Sequence, residues 1–334
     1  MPPTKCTLFS KYNREENIDI FFSTTWCRDR LFTSDNADDI LKFYDTFSNR
    51  DELIQWMKER PKGRAEIIEV EGDKEIIVVI PTADFNGKYA KECRENIFKG
   101  LHIIFVESGF PKDPYFNYAH NCNVGIKKAM EYGPKWVVVS NDDMYKIDEA
   151  SELMEQLSNI DNSKIDTVFT QPTLYHSVPS IIGNPTKIFS FALNLAGYLS
   201  KRYKGVKRRY YLLTKLNRNI FYPRRNDRVL EKILNKISFR NVAKFINIMS
   251  FGIFSSEFIL KNGGNLFDEL YVNEMEDTDL SILLSKNKDK TSFINFRIGD
   301  RIGSTLGLAS DRGARSFLGY AYLSYKIENG YLKL

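Results

Sequence analysis

Asn141, Asp142 and Asp143 follow directly on Trp136-Val137-Val138-Val139-Ser140. An apolar, mostly β-branched run that ends in two carboxylates reads as a buried strand with oxygen donors at its tip. Oxygen ligands suit Mg²⁺ or Mn²⁺, which keep several waters and bind substrate phosphates through one or two carboxylates. Adjacent aspartates in a tight turn point different ways, so one faces a metal while the other takes a hydrogen bond from the backbone or a sugar. Taken alone, the triplet is equally an ordinary turn. A second acidic group, Glu274, Glu276, Asp277 and Asp279, opens a helix, where the dipole favours negative charge. Such a group either complements the dipole or turns one carboxylate to a cleft as general base. Leu280, Leu283 and Leu284 would anchor that helix. Arg297, Arg301, Arg312 and Arg315 form a third group, suited to a diphosphate or to plain exposure.

The elements that must position these groups follow a regular rhythm. Short apolar runs at 75–80 (EIIVVI), 102–106 (HIIFV), 136–140 and 165–169 alternate with helical patterns at 88–100, 117–131 and after Asp148, which is expected to cap. On 117–131, Ala119, Cys122, Ile126, Ala129 and Met130 share one face. The rhythm predicts an α/β fold with a mostly parallel, helix-covered central sheet. Ligands of such sheets bind beyond the carboxyl ends of the strands. Here those ends carry 82–84, 107–109 and 141–143. Residues 1–72 read as an N-terminal extension packed on the core, with a strand at 18–23, helices at 38–47 and 51–59, and a strand at 66–70. Asp29, Arg30 and Asp35 read as solvated loop residues. Residues 73–184 form the first half of the main domain. Residues 246–334 form the second, with an apolar run at 247–254, a short helix at 255–261, a strand at 291–296 and a final helix at 320–327.

The order of these features resembles the family 2, GT-A fold glycosyltransferases, in the style of their rhamnosyltransferase-like members. The resemblance rests on Ile80-Pro81-Thr82, the acidic Glu107, Asn123-Val124-Gly125-Ile126, the VVVSNDD strand end, and GGNLFDELYVNEMEDTDLSILL. It covers roughly 75–170 and 247–305. The resemblance implies a Rossmann-like GT-A sheet and an inverting, metal-assisted transfer from a nucleotide sugar, most simply a UDP-sugar, to a glycan or lipid-linked acceptor. It places Pro81, Thr82 and Asp84 against the nucleoside, Glu107 at the base or ribose, and Asn123 in support of the nucleotide pocket. It makes Asp143 the principal ligand of Mn²⁺ or Mg²⁺. Asp142 becomes its neighbour, between the metal and the donor ribose or sugar. Asp277 becomes the base, and Arg301 a diphosphate contact. This chain departs from the pattern in having Asp84 where Asn is usual, and Arg301-Ile302-Gly303-Ser304 without the expected His. It also lacks Gln-x-x-Arg-Trp, which removes processive synthesis from the expectation.

Residues 185–245 stand apart, with 16 Lys or Arg against two acids, Asp227 and Glu231. The chain's net charge of +5 comes from this block, and the remainder is acidic. It reads as a basic, helical insertion, and three roles compete. One is a solvated surface. Another is docking on an anionic membrane, since the apolar 188–199 is too short to span and leads into KRYKGVKRRYYLL. The third, nucleic-acid binding, fits the composition but lacks a recognised motif. No stretch approaches a spanning helix, residues 1–17 hold no apolar signal core, and Cys6, Cys27, Cys93 and Cys122 lack metal spacing. With only His102, His120 and His176 in the chain, a His-rich metal site is not expected. A cytoplasmic enzyme, peripheral on the inner face of the cell membrane where the basic block docks, is the expectation. The alternative is a non-catalytic binder of nucleotide sugars or nucleic acid.

Overall fold

The computed structural model describes residues 31, 42–109, 113, 115–200, 224–225, 229, 233, 236–237, 239–301 and 317–334. Its centre is a seven-stranded sheet in the order β1-β3-β2-β4-β10-β6-β11. The strands are β1 (Glu66–Val70), β2 (Asp73–Thr82), β3 (Leu101–Glu107), β4 (Trp136–Ser140), β6 (Thr167–Phe169), β10 (Phe251–Ser255) and β11 (Thr291–Phe293). β2 is parallel to β3 and β4, and β11 is parallel to β6. β10 lies antiparallel between β4 and β6, and β1 is antiparallel to β3 at the edge. The expected α/β fold with a helix-flanked central sheet is present, but the sheet is mixed rather than mostly parallel: three of its six neighbouring pairs are antiparallel. β1 joins that sheet although it precedes the boundary expected at residue 73.

Both faces of the sheet are covered, which explains the continuous apolar runs. On β2, Ile76, Val78 and Ile80 face one core cluster, and Ile77 and Val79 face the other. α3 (Tyr118–Met130) covers the second face. A Cβ at Gly125 would stand 2.4 Å from Val79 Cγ1 and 2.8 Å from Val106 Cγ2, so the glycine sets how closely this helix approaches. The first face is covered by α2 (Lys88–Glu92), a π-turn over Cys93–Ile97, and α4 (Ala150–Ser158). A third cluster joins α1 (Arg50–Glu59) to α8 (Phe317–Glu328). The side chain of Asn49 caps α1 by accepting from the Glu52 N–H.

Several expectations need correction. The cap of α4 is Glu149, in a capping box with Glu152, because the carboxylate of Asp148 is turned to Arg297. The apolar run at 247–254 is two strands, β9 (Phe239–Asn247) and β10, broken where Met249 adopts φ 43°. The insertion is not simply helical. It contains α5 (Lys187–Ser200), but also β8 (Arg224–Arg225) and β9, which flank β7 (Val178–Pro185) in a separate three-stranded sheet. The composition of the block hid the strand at its end. Leu283 is 41% exposed, whereas Leu280 and Leu284 are buried in α7 (Glu276–Leu284). The strand expected at 18–23, residues 38–41 of the helix expected at 38–47, and Asp29, Arg30 and Asp35 lie outside the described residues, while 42–45 are helical. Among the described residues no helix is long and apolar enough to cross a membrane.

Candidate functional site

Thr82 ties three strand ends together. Its hydroxyl donates to Asp142 Oδ2 at 2.7 Å. Its carbonyl accepts from the Ser108 N–H at 2.9 Å and the Ser108 hydroxyl at 3.2 Å. Pro81 is buried one residue earlier in β2, opposite Val106. Asp142 and Asp143 are only 4% and 6% exposed, so two carboxylates sit out of bulk water at the tip of β4. Their turn is fixed from all sides. The Asn141 N–H donates to the Ser250 carbonyl at 2.9 Å, and the Arg301 N–H donates to the Asp143 carbonyl at 3.0 Å. From below, the Cys93 thiol donates to the Asp142 carbonyl at 3.3 Å. Cys93 opens the π-turn, a distortion found mostly at functional positions. Burial, followed by the charges of Asp142 and Asp143, pushes this thiol well above its ordinary pKa. The same negative field favours a cation.

Asp142 is thus turned to Thr82, and Asp143 stands beside it, buried at the same strand end. The donor set contains only oxygens and fits a hard divalent ion. Among the described residues no group of three or more His, Cys, Asp or Glu side chains is placed to hold a metal by itself. An ion bound here would take further ligands from substrate phosphates and water, as Mg²⁺ commonly does.

The other expected residues divide. The carboxylate of Glu107 accepts from the Phe85 N–H at 2.9 Å and lies 3.6 Å from the Arg64 guanidinium. The exposed Asp84 accepts from the Asn86 N–H at 2.9 Å. Both shape the turn after β2 on the site's rim. Asn123 is fully buried in α3. Its oxygen accepts from the Leu266 and Phe267 N–H groups at 3.1 Å each, and its amide donates to the Phe267 carbonyl at 2.8 Å. It therefore fastens the segment that leads to α7. Arg301 stays at the rim, its guanidinium 5.7 Å from the Tyr89 ring centre. Arg297 is committed to Asp148, with Nη2–Oδ1 at 2.6 Å. Arg312 and Arg315 lie outside the described residues.

Glu276 and Asp277 begin α7 with Asp279 in the same first turn. Asn273 and Met275, just before it, adopt φ 59° and 75°. Such backbone is costly for residues other than glycine and persists where surrounding contacts impose it. Those contacts are visible. The Asn273 side chain accepts from the Tyr118 N–H at 2.7 Å and donates to the Phe116 carbonyl at 3.1 Å. Gly319 of α8 approaches so closely that a Cβ would stand 2.2 Å from the Glu274 carbonyl oxygen. The three acids then separate. Asp279 is buried against Lys326, which also donates to Asp268 at 2.9 Å. Burial raises the pKa of Asp279 and Lys326 opposes the rise. Asp277 is half-buried and accepts from its neighbour's N–H, Thr278, at 2.7 Å.

Tyr118 joins the two acidic groups. Its hydroxyl donates to Asn141 Oδ1 at 3.0 Å. Burial first, then Cys122 and Glu276, with a smaller effect from Asp277, pushes its phenol well above its ordinary pKa. Tyr118 thus bonds through its hydroxyl to Asn141 in the turn after β4, and through its N–H to Asn273, three residues before α7. The sequence reading missed Tyr118, although it stands four residues before Cys122 on the predicted inward face.

A second missed group is His176 with Asp300. His176 Nδ1 donates to Asp300 Oδ1 at 2.9 Å, and the Ser250 and Thr173 hydroxyls also donate to this carboxylate. Burial would raise Asp300, but these hydrogen bonds outweigh it and hold its pKa below the usual range. Asp300 belongs to β12 (Ile298–Asp300), which pairs with β5 (Met144–Lys146) directly after Asp143. The group thereby fixes the strand that delivers Arg301. Residues this distant in sequence give no local signal of their meeting. Comparisons with protein-family models, with curated proteins and with solved structures return no match for this chain.

Proposed function

We propose that this chain is an inverting, metal-assisted glycosyltransferase of GT-A type, which moves a sugar from a nucleotide donor, a UDP-sugar, to an acceptor hydroxyl. The observation that carries the reading is Tyr118, whose hydroxyl bonds to Asn141 beside the buried Asp142-Asp143 turn and whose N–H bonds to Asn273 just before α7. A donor site and a base are thus offered on one wall. Thr82, Glu107 and the turn at 83–87 form the nucleoside side of that wall. Asp143, with Asp142 beside it, would hold Mg²⁺ or Mn²⁺, which would supply charge to stabilise the departing diphosphate. The backbone bond from the Arg301 N–H to the Asp143 carbonyl supports Arg301 as a diphosphate contact. Asp277 removes the proton from the acceptor hydroxyl as that oxygen bonds to the anomeric carbon. The bond from this carbon to the diphosphate oxygen breaks in the same displacement. One displacement inverts the centre, so no carboxylate nucleophile is required.

The test is transfer or hydrolysis of UDP-sugars with Mn²⁺ or Mg²⁺ by the wild-type chain and by Asp143→Ala and Asp277→Asn. Loss of the base is expected to cost about 10²–10⁴-fold in rate, and loss of the aspartate that holds the ion about 10²–10³-fold. Melting temperatures should stay near wild type. Full activity in both variants would refute the reading.

A further inference from the structure

Helix α5 is apolar on two sides. Its inward side places Phe189 against the core cluster that includes Ile182, Phe245 and Phe317. On its outward side Ile188, Phe191, Leu195 and Leu199 are 75%, 68%, 48% and 48% exposed. Spacings of three, four and four residues align these side chains in one stripe along the helix. A second set, Val229, Ile233 and Ile237, repeats every four residues and is 74%, 51% and 57% exposed. The two sets meet where the Thr186 hydroxyl, beside the start of α5, donates to the Ile237 carbonyl at 2.8 Å. A soluble surface rarely leaves so many large aliphatic side chains together without a partner.

Charge identifies that partner. Lys187 and Lys236, next in sequence to Ile188 and Ile237 of the stripes, are exposed, as is Lys244, within the block that holds 16 Lys or Arg against two acids. Two copies of so basic a face would repel each other across a symmetric contact. Nucleic acid would use the cations but leave the aliphatic stripe in water. An anionic bilayer satisfies both features: acyl chains take the stripe and headgroups take the lysines. The 14 residues of α5 fall short of the ~20 needed to span, so the helix lies in the interface.

We propose that the outward stripe of α5, with Val229, Ile233 and Ile237, docks on an anionic lipid surface and holds the cleft against it. The attachment is direct. β7 begins two residues after His176 of the rim. β9 ends at Asn247, whose side chain donates to the Thr278 hydroxyl at 3.1 Å and accepts from the Ser281 hydroxyl at 3.2 Å, both on α7. The sheet that carries the docking face is thus bonded to the helix of Asp277. On the glycosyltransferase reading, the acceptor is then a lipid-linked glycan presented from that surface. This consequence rests on that reading, whereas the docking does not.

The experiment is co-sedimentation of the full chain with phosphatidylcholine vesicles, with and without phosphatidylglycerol. The wild type should bind only the anionic vesicles, and high salt should weaken binding. Phe191→Asp/Leu195→Asp should lower vesicle affinity at least about a hundredfold, with an unchanged melting temperature because both side chains are exposed. Equal vesicle binding by wild type and variant would overturn the proposal, as would no binding to anionic vesicles. So would a concentration-dependent dimer, or DNA or RNA binding, that this variant abolishes. The assay requires no sugar transfer, so its failure is distinct from failure of the enzymatic reading.

Discussion

The two ends of the central sheet treat their charges in opposite ways. Where β2 and β4 begin, Glu75 and Lys135 pair at 3.1 Å with side chains 62% and 56% exposed. The recess there, about 280 Å³, is lined by Asp73, Trp136, Met154 and Glu155 among others. The charges of Glu75 and Lys135 are solvated. Where the same strands end, Asp142 and Asp143 are buried, Cys93 is perturbed, and a π-turn lies beneath. Among the described residues, the non-glycine ones with positive φ, Ser177, Met249, Asn273 and Met275, all stand beside the groups at this end. A fold spends stability where it holds chemistry, and one end of this sheet shows that expense while the other does not.

The largest expected effect separates the two ends by activity. Asp277→Asn should lose about 10²–10⁴-fold in transfer rate, whereas Glu75→Gln should keep the wild-type rate, and equal losses would break the comparison. Next comes stability. Lys326→Met leaves Asp279 buried beside Asp268 without its cation, and urea unfolding should show a loss of about 3–5 kcal/mol. A loss of the size caused by removing the exposed Lys135 would contradict the buried account. Gly125→Ala should cost about 1–3 kcal/mol, since the methyl group meets the stiff Val79 and Val106. A neutral result would show that α3 can shift away from the sheet. The smallest effect is a pH dependence. The pKa of Asp300 is depressed in the folded chain, so its stabilisation is complete above the ordinary Asp value of about 4 and is lost as pH falls through its lower folded value. The stability gap between wild type and Asp300→Asn should therefore narrow below about pH 4. A gap that is constant from neutral to acid pH would remove the hydrogen-bonded carboxylate from the account.

The sequence makes the sheet legible because both its faces are buried, so each strand appears as an apolar run with polar residues at its end. Asp142, Asp143, Thr82 and Glu107 could be placed on one rim from those ends alone. The start of α7 was equally visible as an acidic first turn. Tyr118, His176 and Asp300 were not, because their meaning lies in contacts across the fold between residues that no local pattern links. Asn123 was legible as a notable residue, but its partners at 266–269 show a backbone clamp. β9 was hidden by the basic composition around it, although Phe239, Val242 and Phe245 carry enough apolar character for a strand.

The central claim is that the rim formed by Thr82, Asp142 and Asp143 binds a nucleotide sugar together with a divalent ion. The most direct measurement is the thermal unfolding of the full chain with a panel of UDP-sugars, with and without Mn²⁺. A ligand of the native state at about a hundred times its Kd should raise the midpoint by roughly 3–5 °C. The account predicts that shift for at least one donor, dependent on Mn²⁺ and absent in Asp143→Ala. A shift that persists in Asp143→Ala, or no shift with any donor, would contradict it.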